Sequence, residues 1–359
     1  MIPSGLRSRP LELTVAICTR DRPEELRRAL ASLAAQARPP AEVLVIDNAP
    51  GDSRTRELVE AEFSDLRGLR GLRSVRYVEE PVPGLDFARN RALAAALGDV
   101  VAFLDDDAVA DPGWSRAMLE PFQKDLKVAA VTGCVLPLAL ETDGQRMFEA
   151  NGGFSRGERE VRLPRDAGEP LHGRRAPLIA WAVSVGSGCS LAVHRWRMLA
   201  LGGFDEALDL GPALPGGGDH DALWRLLDAG WTVVYEPAAQ ARHEHRKELR
   251  TACTQIVGHQ RALVAFLVKS FGRARGRRKL EILAFLLWRL VKPLVRLLTP
   301  GDPLSFGTRA RMLVHCWRGL GAYASARKLV RQRRMAVSRR VSGASGASGA
   351  GAAVEVQKT

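Results

Sequence analysis

The chain holds only 5 cysteines in 359 residues, an odd number, and no C-x-x-C pair. That argues against a disulfide framework and a zinc knuckle, and it fits a reducing compartment. No run of about 18 apolar residues occurs, so an ordinary transmembrane helix is not expected. Met1–Leu13 lacks the apolar core of a signal peptide. Aromatic residues make up 6% and do not interleave with the C-terminal arginines, so no base-stacking platform, and no nucleic-acid partner, is expected. After the first apolar run, Cys18–Pro23 offers neither a G-x-G-x-x-G fingerprint nor a glycine-rich phosphate loop. This disfavours dinucleotide binding and nucleotidyltransferase chemistry.

What is present is globular: 46% hydrophobic and 26% charged residues. Lys+Arg outnumber Asp+Glu by 53 to 40, a formal net charge of +13, with the excess in Arg246–Arg340. Such a balance points to a polyanionic partner: nucleic acid, an anionic membrane or phosphorylated substrates. Arg278–Leu298 reads as one helix on which Arg278, Glu281, Arg289, Lys292 and Arg296 form a narrow, mostly cationic stripe, with Pro293 expected to kink it. The expectation is a helix at a membrane interface whose cations meet anionic lipid, peripheral on the inner (cytoplasmic) face. The same pattern also reads as a helix packed on the rest of the protein or in a dimer, so a second copy of the chain stays open as a partner. Ala262–Phe271 and Arg309–Arg334 add basic amphipathic material, and the Ser-Gly-Ala repeat of Val341–Ala353 reads as disordered.

Short apolar runs at Leu13–Cys18, Val43–Ile46, Val75–Val78, Val100–Leu104 and Val128–Val131 read as strands. Helices are expected from Pro23, with Leu26, Ala29, Leu30 and Leu33 at helical spacing, and over Ala88–Leu97. This alternation predicts an α/β fold with a mostly parallel, doubly wound sheet, in which ligands bind outside the carboxyl ends of the strands. Thr142–Pro177 reads as an irregular excursion, Trp181–Val193 as strand-like, Asp219–Ala229 as a helix and Trp231–Tyr235 as a strand.

Four constellations carry chemistry. Asp105-Asp106-Asp107 closes an apolar strand, and three adjacent carboxylates repel unless a divalent cation offsets the charge. In an extended chain Asp105 and Asp107 point one way and Asp106 the other. The alternative is a turn or helix cap in a solvated loop. Asp219, after three glycines at a helix start, reads either as a general base or as an N-cap. His243 and His245 read as metal ligands or as part of a basic patch with Arg242 and Arg246. Thr19-Arg20-Asp21-Arg22 can hold phosphate and Asp47 can read a base or ribose edge, or all of them cap a solvated helix start.

Taken in order, these residues resemble the family 2 glycosyltransferases with a GT-A fold. The matching stretches are Val15–Pro23, Val45–Asn48, Pro83–Ala92, Ala102–Asp107, Gly202–Asp205, Gly216–Leu223 and Tyr235–Pro237. The resemblance spans roughly Leu13 to Arg246. It implies a catalytic domain at 13–246, with a nucleotide-sugar half at 13–135 and an acceptor half at 136–246. Around it stand an N-terminal extension at 1–12, a basic helical region at 247–340 and a tail at 341–359. Donor contacts are implied for Thr19, Arg20, Arg22, Asp47, Asn48, Gly84, Arg89, Asn90, Asp105 and Asp106. A Mn²⁺ or Mg²⁺ site is implied for Asp105 and Asp107 with His243 or His245. Asp219 matches the family's base, but the usual preceding glutamate is Gly218 here, which keeps Asp221 as a rival. The processive Q-x-x-R-W element is missing, so transfer of one sugar at a time is expected. The implied activity is inverting transfer from a nucleotide-diphospho-sugar, commonly a UDP-sugar, to a glycan or lipid-linked acceptor in cell-envelope synthesis. The alternative is a non-catalytic basic membrane- or nucleic-acid-binding protein on the same fold.

Overall fold

The computed structural model describes residues 9–63, 74–168 and 176–348. The first half alternates regularly: β1 (Leu13–Thr19), α1 (Pro23–Ala34), β2 (Glu42–Asn48), α2 (Arg54–Glu62), β3 (Val75–Glu80), α3 (Leu85–Ala95) and β4 (Val100–Leu104). Pro23 begins α1, where its missing N–H costs nothing. Leu26, Ala29, Leu30 and Leu33 are the buried stripe of that helix. After a turn come β5 (Ala108–Ala110), α4 (Trp114–Lys124) and β6 (Val128–Pro137). The second half holds α5 (Asp143–Ala150), β7 (Val161–Leu163), α6 (Leu178–Ser184), β8 (Ser190–His194), α7 (Arg195–Ala200), α8 (Gly218–Asp228) and β9 (Thr232–His243). Three long helices close the described residues: α9 (Leu249–Arg273), α10 (Gly276–Leu298) and α11 (Phe306–Ser348).

The strands join in the order β3-β2-β1-β4-β8-β6-β9-β5, with β7 on β9. β3, β2, β1 and β4 are parallel, as the alternation predicts. β8 runs antiparallel to both its neighbours, β4 and β6, and β5 antiparallel to β9. The sheet is covered on both faces. Ala16, Leu44, Ile46, Val101 and Phe103 pack with α3, α6, α8, α9 and α10 through Leu93, Trp181, Trp224, Phe266 and Ile282. Val15, Ile17, Val43, Val45 and Leu104 pack with α1, α2 and α4 through Leu30, Leu58, Trp114 and Phe122. Burial of each large side chain contributes about 1.5–3 kcal/mol, so this double core fixes where the strand ends sit.

Four expectations change. Thr142–Pro177 is not wholly irregular: Thr142 caps α5 through a reciprocal pair with Gln145, which satisfies two helix-end donors. The apolar stretch from Trp181 begins in a helix, α6, and becomes strand only at Ser190. α11 continues to Ser348, because extending an existing helix through small residues costs far less than starting one. The rest of the tail, 349–359, lies outside the described residues, as do residues 1–8 of the N-terminal extension. Finally, three cations of the α10 stripe, Arg278, Arg289 and Arg296, face the protein, while Lys292 is exposed. Arg289 donates to Gln260, Arg296 pairs with Asp302 and Asn151, and Arg278 pairs with Asp228. The outward face is apolar instead, with Leu287, Trp288, Val291, Leu294, Val295 and Leu298 exposed. No helix among the described residues is long and apolar enough to cross a membrane.

Candidate functional site

The carboxyl ends of β1, β4 and β9 and the start of α8 open on one crevice of about 540 Å³. β4 ends at Leu104, and the chain turns there: the Ala108 N–H donates to the Asp105 carbonyl. The turn splits the three carboxylates. Asp106 goes toward β1, accepting from Thr19 Oγ1 at 2.8 Å and from Arg22 at 2.6 Å. Asp107 takes the other arm of Arg22 at 3.1 Å and lies 3.2 Å from His243 Nε2. Asp105 faces His243 and the Cys189 thiol, the ligand atoms of the three lying within 4.8 Å of one another.

Electrostatics separate these groups. Burial and the charge of Asp107 push Asp105 up. Burial lifts Asp106 to about 7 even though Arg22 pulls it down. Burial acts on Asp107 as well, but the hydrogen bond and charge of His243, then Arg22, outweigh it and hold that carboxyl below the usual range. Two carboxylates and an imidazole nitrogen form a donor set suited to a hard or borderline divalent cation. Burial keeps Cys189 a thiol, a poor partner for Mg²⁺. His245 stands behind His243: Nδ1 lies 2.9 Å from His243 Nδ1, while Nε2 meets Glu149 at 2.8 Å. His243 is therefore the histidine facing the carboxylates, and His245 with Glu149 orients it.

Asp219 lies in the first turn of α8 and lines the crevice. It accepts N–H groups from Gly188 and His220, each at 2.8 Å. Burial opposes its charge, but His220, Arg89 and those two amides hold it ionised. Asp221 points elsewhere: it pairs with Arg225 at 2.7 Å and with Lys269 at 2.6 Å, outside the crevice lining. Arg89 lines the crevice but is consumed by carboxylates, Asp86 at 2.9 Å and Asp209 at 3.3 Å. Burial raises both of those acids. A β-carbon at Gly188 would lie 2.4 Å from an Arg89 guanidinium nitrogen, so a larger residue here would push that buried arginine aside.

Of the other expected donor contacts, Thr19, Arg20, Arg22 and Asn48 line the crevice. The Asn48 amide braces the next loop, accepting from Gly84 N at 2.8 Å and donating to Val82 O at 2.8 Å. Asp47 is fully buried outside the lining and accepts from Tyr77 at 2.9 Å. Gly84, at φ +147, supplies a backbone turn. Asn90 lies outside the crevice too: its amide holds the backbone of Phe204 by bonds of 2.7 and 3.0 Å. Sequence reasoning missed Cys189, Glu149, Asp86, Asp209 and the Gly188 amide. It also missed α9, whose Gln255, His259 and Leu263 form a wall of the crevice.

Residues 14–164 match glycosyl transferase family 2. Over 331 residues, 86% of its length, the chain is 28% identical to the pre-mycofactocin glycosyltransferase of Mycobacterium tuberculosis, and it spans 63% of that relative. It is 29% identical to a succinoglycan biosynthesis protein of Rhizobium meliloti, over 67% of this chain and 69% of that one. Among solved structures it resembles a mannosyltransferase from Pyrobaculum calidifontis in complex with GDP-Man and Mn²⁺. The TM-score is 0.56 at 19% identity, covering 93% of this chain and 87% of the other. With its alternating half, its antiparallel β8 and the carboxylate turn after β4, the chain has the GT-A fold, and its residues 14–164 carry the glycosyl transferase family 2 match.

Proposed function

We propose that the protein moves a single sugar, with inversion, from a nucleotide-diphospho-sugar to an acceptor hydroxyl, using a divalent metal. The observation that carries this reading is the crevice that holds Asp105, Asp107 and His243 together with the ionised Asp219. Asp105, Asp107 and His243 would hold Mn²⁺ or Mg²⁺, which supplies positive charge against the departing diphosphate. Thr19 and Arg22 fix Asp106, and Arg20 and Arg22 offer guanidinium donors to phosphate. Asp219 takes the acceptor proton. Its two bonds to backbone amides fix its direction and leave lone pairs free. Asp221, locked between Arg225 and Lys269, has no route to that proton.

The acceptor side is walled by α9 and by Phe148 and Phe154 near α5. The named relatives belong to pre-mycofactocin and succinoglycan chemistry, and we place this chain in cell-envelope or lipid-linked glycan synthesis. The exposed apolar face of α10 supports a peripheral position on the inner face of the membrane.

The test is calorimetric titration of the protein with UDP, GDP and dTDP, each with and without Mn²⁺. Metal-dependent binding of one nucleotide, lost in Asp107→Ala, is the expected result and names the donor class. Absence of binding to all of them, with or without metal, would leave a non-catalytic basic membrane- or nucleic-acid-binding protein as the reading.

A further inference from the structure

A second cavity, of about 400 Å³, shares no lining residue with the carboxylate crevice. Its walls are the loop 201–207, Arg225 of α8, Lys269 and Arg273 of α9, and Arg327, Arg331 and Arg334 of α11. Three of these cations are partnered. Arg225 pairs with Asp221, and Lys269 pairs with Asp205 at 2.5 Å and Asp221 at 2.6 Å. Arg334 pairs with Glu206. The two carboxylates of the lining are thereby used: Asp205 also accepts from Tyr323 at 2.8 Å, and Glu206 from Asn90 at 3.3 Å. Arg273, Arg327 and Arg331 have no ion pair among the described residues.

Arg327 and Arg331 stand four residues apart on one helix face, where like charges repel. Arg273 adds a third unpaired cation from the neighbouring helix, and Lys269, with a side chain only 2% exposed, is a fixed cation in the same lining. Converging guanidinium groups match the geometry of phosphoryl oxygens, with paired N–H donors for each.

We propose that this cavity is a metal-independent site for a phosphoryl or pyrophosphoryl group, carried either by a soluble molecule or by a lipid headgroup. The three unpaired arginines hold the anion, which in turn relieves their mutual repulsion. The site does not depend on whether the crevice transfers sugar.

The experiment is calorimetric titration of the full chain with inorganic pyrophosphate in EDTA at low ionic strength. We expect one site, weakening with salt. The Arg327→Ser/Arg331→Ser variant should bind about tenfold or more weakly, since two charge-assisted contacts are lost. Arg273→Ser, on the other wall, should weaken binding in the same direction, with melting temperatures of all variants near that of the parent. Arg22→Ser should leave it unchanged. Undetectable binding to the parent at millimolar pyrophosphate would overturn the proposal. So would loss in Arg22→Ser with none in the α11 variant, because the anion would then sit in the crevice. Flotation with phosphatidate and phosphatidylcholine vesicles separates the sources. Phosphatidate-specific retention that the α11 variant loses assigns the group to lipid. Equal retention of parent and variant, beside lost pyrophosphate binding, assigns it to a soluble molecule.

Discussion

Gly218 and Asp86 stand so close that no β-carbon fits between them: one built on Gly218 would strike the Asp86 carboxylate and lie 2.5 Å from Asp209 Oδ2. The space a side chain would take at this position, a glutamate's included, is filled here by two other carboxylates, Asp86 and Asp209, gathered around Arg89. Gly218→Ala should therefore cost about 1–3 kcal/mol of stability by overpacking and shift the start of α8 that carries Asp219. Thermal melts and initial rates together test this. A Gly218→Glu protein with the parent's melting temperature and rate would show that the space exists after all.

Asp219→Asn should keep donor affinity and lower kcat by about 10²–10⁴, the usual worth of a positioned base. Calorimetry for the donor and a discontinuous transfer assay separate the two effects. A normal rate would move the base to another residue.

The histidines should divide by role. His243→Ala removes metal-dependent nucleotide binding. His245→Ala weakens metal affinity by about 10–100-fold, the range for a residue that orients a ligand from behind. Mn²⁺ titrations of both variants decide the matter, and parent-like affinity in His245→Ala would deny it that role.

His194, at the end of β8, gives a pH dependence of stability. Burial, then the charge of Arg197, lowers it to about 4 from an ordinary 6.5. Protonation thus favours the unfolded chain. The stability from neutral His194 is complete above about pH 6.5 and is lost as pH falls toward about 4. The melting temperature of His194→Gln should fall less than the parent's on going from about pH 7 to about pH 5. Parallel curves would rule out this contribution.

Leu287→Glu/Leu294→Glu on the outer face of α10 should abolish vesicle binding without altering the fold, since both positions are exposed. Because the two substituted side chains are apolar, and Arg289 and Arg296 are turned inward, the binding removed should be largely insensitive to salt. Co-sedimentation of parent and variant at low and high salt checks both points. Binding of parent and variant alike would exclude this face.

The parallel half of the sheet was legible because β1, β2 and β4 are apolar runs ended by polar residues, a pattern that only a strand covered on both faces needs. α6 was not, because a short apolar stretch such as 178–184 looks the same in a buried helix and a buried strand. Thr142 and Gln145 carried a readable helix-start signal that the surrounding Gly, Arg and Pro obscured. The stripe on α10 was visible in the sequence, but periodicity gives a stripe without saying which side meets the protein. Alternation placed His243 and His245 side by side. Only the fold, by bringing Asp107 to one and Glu149 to the other, distinguishes them. Asp86 and Asp209 could not be paired in advance, since the long stretch of chain between them carries no distance information until the loop before α8 closes on α3.

The wall that α9 lends to the crevice has a consequence for how the protein can change over time. One lip comes from the first hundred or so residues and the other from a helix encoded far downstream, joined only by packing. Drift or recombination in the α9 segment can reshape what approaches Asp219 while the turn after β4 stays as it is, so novelty at one lip need not disturb the other.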